Sequence, residues 1–126
     1  MTYETIQTSL QHGVAVIWLN RPDLRNAMNE TVIAELTRSI SEAIGDDAVR
    51  AIVIAGRGKA FCAGADLNWL RRARDMTPDE AVQDSAGLAT VLRLLYESPK
   101  PTVARVHGAA FAGGMGIVSA CDIAIA

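Results

Sequence analysis

The spacing of hydrophobic positions changes several times along the chain, and each change marks an element. Residues 2–19 place Ile6, Val14, Val16 and Trp18 among β-forming residues, with Gln11-His12-Gly13 between them, which predicts two strands joined as a hairpin. Arg21-Pro22-Asp23 breaks that run. Asn29 is placed to cap a helix, and Val32, Ile33, Leu36, Ile40, Ala43 and Ile44 recur at helical spacing until Gly45. That is an amphipathic helix of about four turns. Residues 49–55 hold Ile52, Val53 and Ile54 in succession, the pattern of a strand buried on both faces. Strand, helix and strand in this order predict a parallel crossover.

A Gly/Ala-rich loop follows at 56–65, and residues 66–72 open a short helix. Thr77-Pro78-Asp79-Glu80 is a helix start with a capping hydroxyl, a proline at the first helical position and a glutamate set to close a capping box. The long helix it begins should carry Val82, Leu88, Val91, Leu92 and Leu95 on its apolar face and stop before Pro99 and Pro101. Residues 102–106 read as a strand, 108–114 as a glycine-rich turn, 115–120 as a short helix and 123–126 as a buried apolar strand. No repeat, low-complexity segment or linker interrupts the chain.

With 126 residues, half of them apolar, the chain is long enough for one domain with a core. Its net charge of -2 and dispersed basic residues argue against a main role in coating nucleic acid or an anionic membrane. Met1-Thr2-Tyr3-Glu4 lacks a basic region followed by an apolar run, so no leader is expected, and no apolar stretch approaches the ~20 residues of a membrane span. The expected location is the cytoplasm. Cys62 and Cys121 stand too far apart for a zinc ribbon or a redox CxxC motif, so buried free thiols and no metal are expected.

The chemistry is concentrated in two strand-to-helix loops, residues 59–67 (KAFCAGADL) and 107–115 (HGAAFAGGM). Small residues let a ligand approach the main chain, and the amides that open a helix are unpaired donors backed by the positive end of its dipole. Two such loops side by side can aim two N–H groups at one oxygen, the arrangement that stabilises a developing oxyanion. Either loop alone is more often simple packing. Nucleotide folds fail on spacing, because Gly56-Arg57-Gly58 lacks the third glycine of GxGxxG and Gly58-Lys59 is followed by alanine where a P-loop needs Ser or Thr.

Four ordered motifs carry a resemblance. Asn20-Arg21-Pro22 through Asn26-Ala27-Met28, Phe61 through Leu67, Lys100-Pro101 through His107-Gly108, and Ala112-Gly113-Gly114-Met115-Gly116 with Cys121-Asp122 are similar to the enoyl-CoA hydratases of the crotonase superfamily in identity, order and spacing. The resemblance implies an α/β fold, the ClpP/crotonase-like spiral of ββα units. Residues 1–126 would be the N-terminal part of its core, the CoA-binding and oxyanion-hole half, ending before the helical region that assembles homotrimers or dimers of trimers. It also implies that the backbone amides of Ala65 and Gly113 form the oxyanion hole. Arg25, Ala27, Ala63, Gly64, Ala65, Asp66, Leu67, Gly113 and Gly114 would contact the acyl-CoA substrate, and Met115 and Gly116 would border the acyl pocket. Coenzyme A enters as part of the substrate, with no permanently bound cofactor.

Gly116 departs from the pattern, since many hydratases carry a catalytic glutamate there, and the second glutamate of the pair falls beyond Ala126. The 126-residue chain alone is therefore expected to be inactive. Glycine at this place resembles hydratases of branched acidic substrates such as methylglutaconyl-CoA, and also the chlorobenzoyl-CoA dehalogenases. The expected reaction is hydration of a 2-enoyl-CoA. A catalytically silent CoA-binding or assembly paralogue and another crotonase reaction, such as isomerisation or dehalogenation, remain as alternatives.

Among the other polar residues, His107 reads as a satisfied structural histidine ahead of a proton-transfer group, and His12 as a solvated turn residue. Arg71, Arg72 and Arg74 read as a charged exposed face ahead of a phosphate site. Trp69 is balanced between helix packing and a channel wall. Ser119 has no His/Asp arrangement, which rejects a ClpP-type protease.

Overall fold

The computed structural model describes residues 2–126. In chain order the elements are β1 (Ile6–Gln11), β2 (Val14–Leu19), α1 (Glu30–Gly45), β3 (Ala51–Gly56), α2 (Leu67–Ala73), α3 (Pro78–Tyr96), β4 (Thr102–Arg105), α4 (Gly113–Ala120) and β5 (Ile123–Ile125), with a short 3-10 turn at Pro22–Leu24. The strands form one sheet in the order β1-β2-β3-β4-β5. The first pair is antiparallel, and every later neighbour is parallel, as the strand-helix-strand pattern predicts.

The hairpin closes through His12 and Gly13, both at positive φ (52° and 81°), which suits the tight primed turn whose twist matches the strands. In β2 the alternation resolves into two faces: Ala15, Ile17 and Leu19 enter the core, while Val14, Val16 and Trp18 lie half-buried on the other side. Helix α1 starts as its sequence requires, the Asn29 side chain accepting the Val32 N–H, and buries Val32, Ile33, Leu36, Ile40 and Ala43 between the sheet and the helix at Pro78–Tyr96. Its C-terminal carbonyls are satisfied from far away in sequence: Lys100 Nζ donates to Ala43 O at 2.9 Å and Asp46 O at 2.6 Å.

Helix α3 begins at the expected cap, where the Thr77 hydroxyl accepts the Glu80 N–H. Its apolar face differs from expectation in one residue. Val91 and Leu95 are buried and Leu88 and Leu92 partly so, but Val82 is 69% exposed. The contact stripe runs through Asp84, Gly87, Val91 and Leu95, and a residue two places before Asp84 lies ~200° round the helix from it. Strand β5 also departs from expectation. It is not buried: Ile123 and Ile125 are 53% and 51% exposed, because β5 is the outer strand and pairs with β4 alone.

Two reciprocal hydrogen bonds staple the start of β4 to the start of β5. Thr102 N donates to Asp122 Oδ2, and Asp122 N to Thr102 Oγ1, so each strand satisfies the other's polar groups at its entry. Among the described residues, no buried side-chain nitrogen or oxygen is left without a partner.

Candidate functional site

Beyond the end of β3, three irregular segments lie side by side. Met28 pairs with Ala65 and Cys62 with Ala110 in parallel bridges. The bonds that hold them are Ala63 N to Arg25 O (2.9 Å), Met28 N to Gly64 O (2.7 Å), Asp66 N to Met28 O (2.7 Å), Cys62 N to Ala109 O (3.1 Å) and Phe111 N to Cys62 O (3.0 Å). In a parallel bridge of this kind Met28 takes the bonds of residues 64 and 66, so the N–H and C=O of Ala65 point the opposite way. The Ala65 N–H has no acceptor among the hydrogen bonds of the described residues.

Asn26 anchors the first segment. It is 1% exposed and sits at φ 58°, a conformation that asparagine tolerates better than other non-glycine residues. Its Oδ1 accepts the Arg21 N–H, and its Nδ2 donates to Arg57 O and Ala60 O, both at 2.9 Å, so one buried amide ties the turn after β2 to the loop after β3.

The second glycine-rich loop enters α4 through Ala112, at φ 48° and ψ −113°. For a residue with a Cβ this backbone is strained. The loop is then held by Gly114 N to Phe111 O (2.8 Å) and Gly116 N to Ala112 O (3.1 Å), while the Gly113 N–H, like that of Ala65, has no acceptor among the described hydrogen bonds. A Cβ on Gly114 would lie 2.8 Å from the Cys62 carbonyl oxygen, so that residue must be glycine for the loops to come this close, whereas one on Gly113 would push aside the flexible tip of Met28, Cε.

The two unpaired amides belong to residues that line one cleft of about 340 Å³. Met28, Ala65, Ala112 and Gly113 contribute to its wall, and Trp69 and Leu70 of α2 face Asp84 and Leu88 of α3. Trp69 settles as both a packing residue and a wall, since it packs on the core and its Nε1–H is held by Asp84 Oδ1 at 3.0 Å. An apolar cleft with two free main-chain donors is suited to a carbonyl that gains negative charge.

The electrostatics around the first loop are structural. Asp66 caps α2, its Oδ1 accepting the Asn68 and Trp69 N–H groups, and its Oδ2 pairs with Arg21 at 2.9 Å. Burial by itself would raise its pKa, but the Arg21 and backbone hydrogen bonds and the guanidinium charge outweigh that, and the carboxyl is held below its ordinary value. Burial raises Cys62, and raises Cys121 to about 11; both are free thiols and neither is activated.

The remaining residues named from the sequence are spread around this centre. Arg25 is exposed at φ 52° and contributes its carbonyl to Ala63. Ala27 is half-buried and its carbonyl accepts from the Arg21 guanidinium. Gly64 is buried at φ 102°, and Leu67 is 70% exposed. Met115 is 57% exposed and Gly116 backs onto Leu92, a Cβ there standing 3.3 Å from Leu92 Cδ1; neither is among the residues lining the cleft. His107 Nε2 lies 2.5 Å from Gly58 O, and exposed Arg72 pairs with Glu30, which matches the structural readings of both. Among the described residues, no three His, Cys, Asp or Glu side chains gather as metal ligands would, and no helix is long and apolar enough to cross a membrane.

Sequence reasoning missed Met28, Asp84 and Ala112 as parts of the cleft and Asn26 as its anchor. Asn26 and Met28 stand inside a matching motif but give no local sign of their roles. The Trp69–Asp84 bond joins residues on two helices, with a loop between, that no periodicity relates.

The chain is similar to known proteins over most of its length. A family model described as enoyl-CoA hydratase/isomerase matches residues 9–126. A Thermus thermophilus protein that carries an enoyl-CoA hydratase name is 42% identical over 112 residues, 89% of this chain and 44% of its own. The mouse mitochondrial Delta(3,5)-Delta(2,4)-dienoyl-CoA isomerase is 38% identical over 133 residues, 96% of this chain and 40% of its own. The crystal structure of a Legionella pneumophila protein described as an enoyl-CoA hydratase/isomerase (crotonase) superposes with a TM-score of 0.96 at 39% identity, covering 98% of this chain and 48% of that one. The α/β fold is therefore crotonase-like, and the chain spans less than half the length of these relatives.

Proposed function

The chain belongs to the enoyl-CoA hydratase/isomerase family, and on that premise we propose that it binds acyl-CoA thioesters, with the Ala65 and Gly113 amides as the oxyanion hole for the thioester carbonyl. The observation that carries this reading is that both N–H groups lack acceptors and both residues line one cleft. The reaction is hydration of a 2-enoyl-CoA. As water oxygen bonds to the β-carbon, the electron pair of the double bond moves toward the thioester oxygen, and the two amides stabilise the charge that collects there. In this reading the carboxylate that handles the proton belongs to sequence beyond Ala126, and the whole protein assembles as a trimer or a dimer of trimers. Arg25, Ala27 and the 63–67 loop hold the coenzyme portion, for which the exposed Arg25 supplies a cation; Gly114 lets the loops approach.

Met115 and Gly116 are assigned to the acyl side of the site. Glycine at 116 removes an anionic group from beside a branched or carboxylated acyl chain of the methylglutaconyl-CoA kind. Because Asp84 lines the cleft, an acidic acyl chain has to lie away from it. The same glycine also supports a second reading, a silent CoA-binding paralogue, in which neither substrate is turned over.

Titration calorimetry of the 126-residue chain with crotonyl-CoA tests the central claim. Weak binding without turnover is expected. Ala65→Pro, which deletes the donor, should weaken it by about tenfold, while Ala65→Ser leaves it unchanged. Equal affinities in two folded variants would remove Ala65 from the role. Turnover of crotonyl-CoA against methylglutaconyl-CoA by a longer form that includes the downstream carboxylate separates the hydratase from the silent paralogue.

A further inference from the structure

We propose that Met28 is a positioning residue that sets the separation of the Ala65 and Gly113 amides, holding one through its backbone and the other through its side chain. This inference rests on the oxyanion reading above and names the part that tunes it.

The backbone half of the argument is the bridge. Met28 donates to Gly64 O and accepts from Asp66 N, both at 2.7 Å, so it grips the residues on either side of Ala65 and fixes the plane from which the Ala65 N–H projects. The side-chain half is contact. Met28 is 1% exposed, and its Cε occupies the place where a Cβ of Gly113 would stand, with Sδ 3.9 Å from that place and Leu88 Cδ2 at 3.5 Å closing it from α3. Gly113 therefore rests directly on the tip of the residue whose backbone orients Ala65. Met28 is itself not free to drift, because Arg21 spans Ala27 O and the Asp66 carboxylate on either side of the bridge.

A packed interior transmits such a contact with little slack. Two donors converging on one oxygen lose strength quickly when either moves out of line, so the length of the side chain at position 28 becomes the spacing of the pair. A residue that merely filled the core would affect stability and leave the polarisation of a bound carbonyl alone.

The test uses the CoA thioester of a para-dialkylaminocinnamic acid, a push-pull chromophore whose absorption moves to longer wavelength as its carbonyl is polarised. Bound to the unaltered chain it should show a red shift. Met28→Leu, close in volume but one bond shorter, is expected to fold normally and to lose part of that shift; Met28→Ala should lose about half or more, as for one of two donors pulled out of line. Affinity for free CoA should stay within about threefold in Met28→Leu, because the backbone bonds of residue 28 to Gly64 and Asp66, which hold the 63–67 loop, do not depend on its side chain. Urea denaturation identifies the variants that are folded. A full red shift in folded Met28→Leu, with Ala65→Pro losing about half of it or more, overturns the role of Met28 and leaves the oxyanion reading intact. No red shift on binding to the unaltered chain overturns the oxyanion reading, and this inference falls with it.

Discussion

The guanidinium of Arg21 lies 2.9 Å from the carboxylate of Asp66, 45 residues further along the chain, with both side chains largely shielded from water. The same arginine also donates to Ala27 O. One cation therefore joins the turn after β2 to the cap of α2, and the loop that carries Ala65 ends on that cap. Replacing Arg21 by Met should destabilise the fold by about 3 kcal/mol, since it leaves a buried carboxylate without its charge partner. Asp66→Asn keeps the cap and should cost less. Urea denaturation at neutral pH ranks the two.

The same pair sets a pH dependence. Folding lowers the Asp66 carboxyl, and also that of Glu35, whose oxygens accept from Thr5 and the Glu4 and Thr5 amides in spite of the burial that opposes this. A lowered carboxyl contributes stability that is complete above its unfolded value, about 4, and is lost as pH falls through the folded one. Stability should hold roughly level from pH 7 to about 5 and fall below about 4. The fall should be shallower in Asp66→Asn, measured by urea midpoints across the range.

Asn26→Ala removes acceptors and donors that serve Arg21 N, Arg57 O and Ala60 O, and places alanine at φ 58°. A loss of about 3 to 4 kcal/mol is expected from the unmet buried groups and the backbone together. Asn26→Gly relieves the backbone but restores none of the bonds, so it should recover only about 1 kcal/mol of that. Thermal denaturation of both variants checks the order.

Gly113 and Met28 should be coupled. Gly113→Ala drives a methyl group into Met28 Cε, the movable end of a flexible side chain, an overpacking of about 1 kcal/mol, and Met28→Ala leaves a cavity worth about 2 to 5. In the double variant the new methyl enters the space that was vacated. A double-mutant cycle should therefore show a favourable coupling of about 1 kcal/mol or more. Strict additivity would contradict the contact.

Ala112→Gly tests the strained entry to α4. Relief of the backbone at φ 48° and ψ −113° should exceed the entropy that glycine adds to the unfolded chain, giving a net gain of up to about 1 kcal/mol. Ala112→Val should move the other way, and differential scanning calorimetry reads both.

The sequence by itself determined whatever depends on near neighbours. The hairpin turn at His12-Gly13, the caps Asn29 and Thr77, the apolar stripe of α1 and the parallel crossover all arise from residues a few places apart. The four motifs added the family, and with it the two loops that carry the proposed chemistry. Only the tertiary structure decided what meets across the crossovers. Val82 faces out because α1 lies on the other side of α3, and β5 is exposed because β4 is its sole partner. Lys100 caps a helix that ends more than fifty residues earlier, Asn26 bridges two turns, Asp84 reaches Trp69, and Met28 lies under Gly113. Helical and strand periods arise from hydrogen bonding and side-chain direction within a segment, so they are written locally. These contacts depend instead on how the strands order themselves in the sheet and how closely glycines let the loops approach, which no period along the chain encodes.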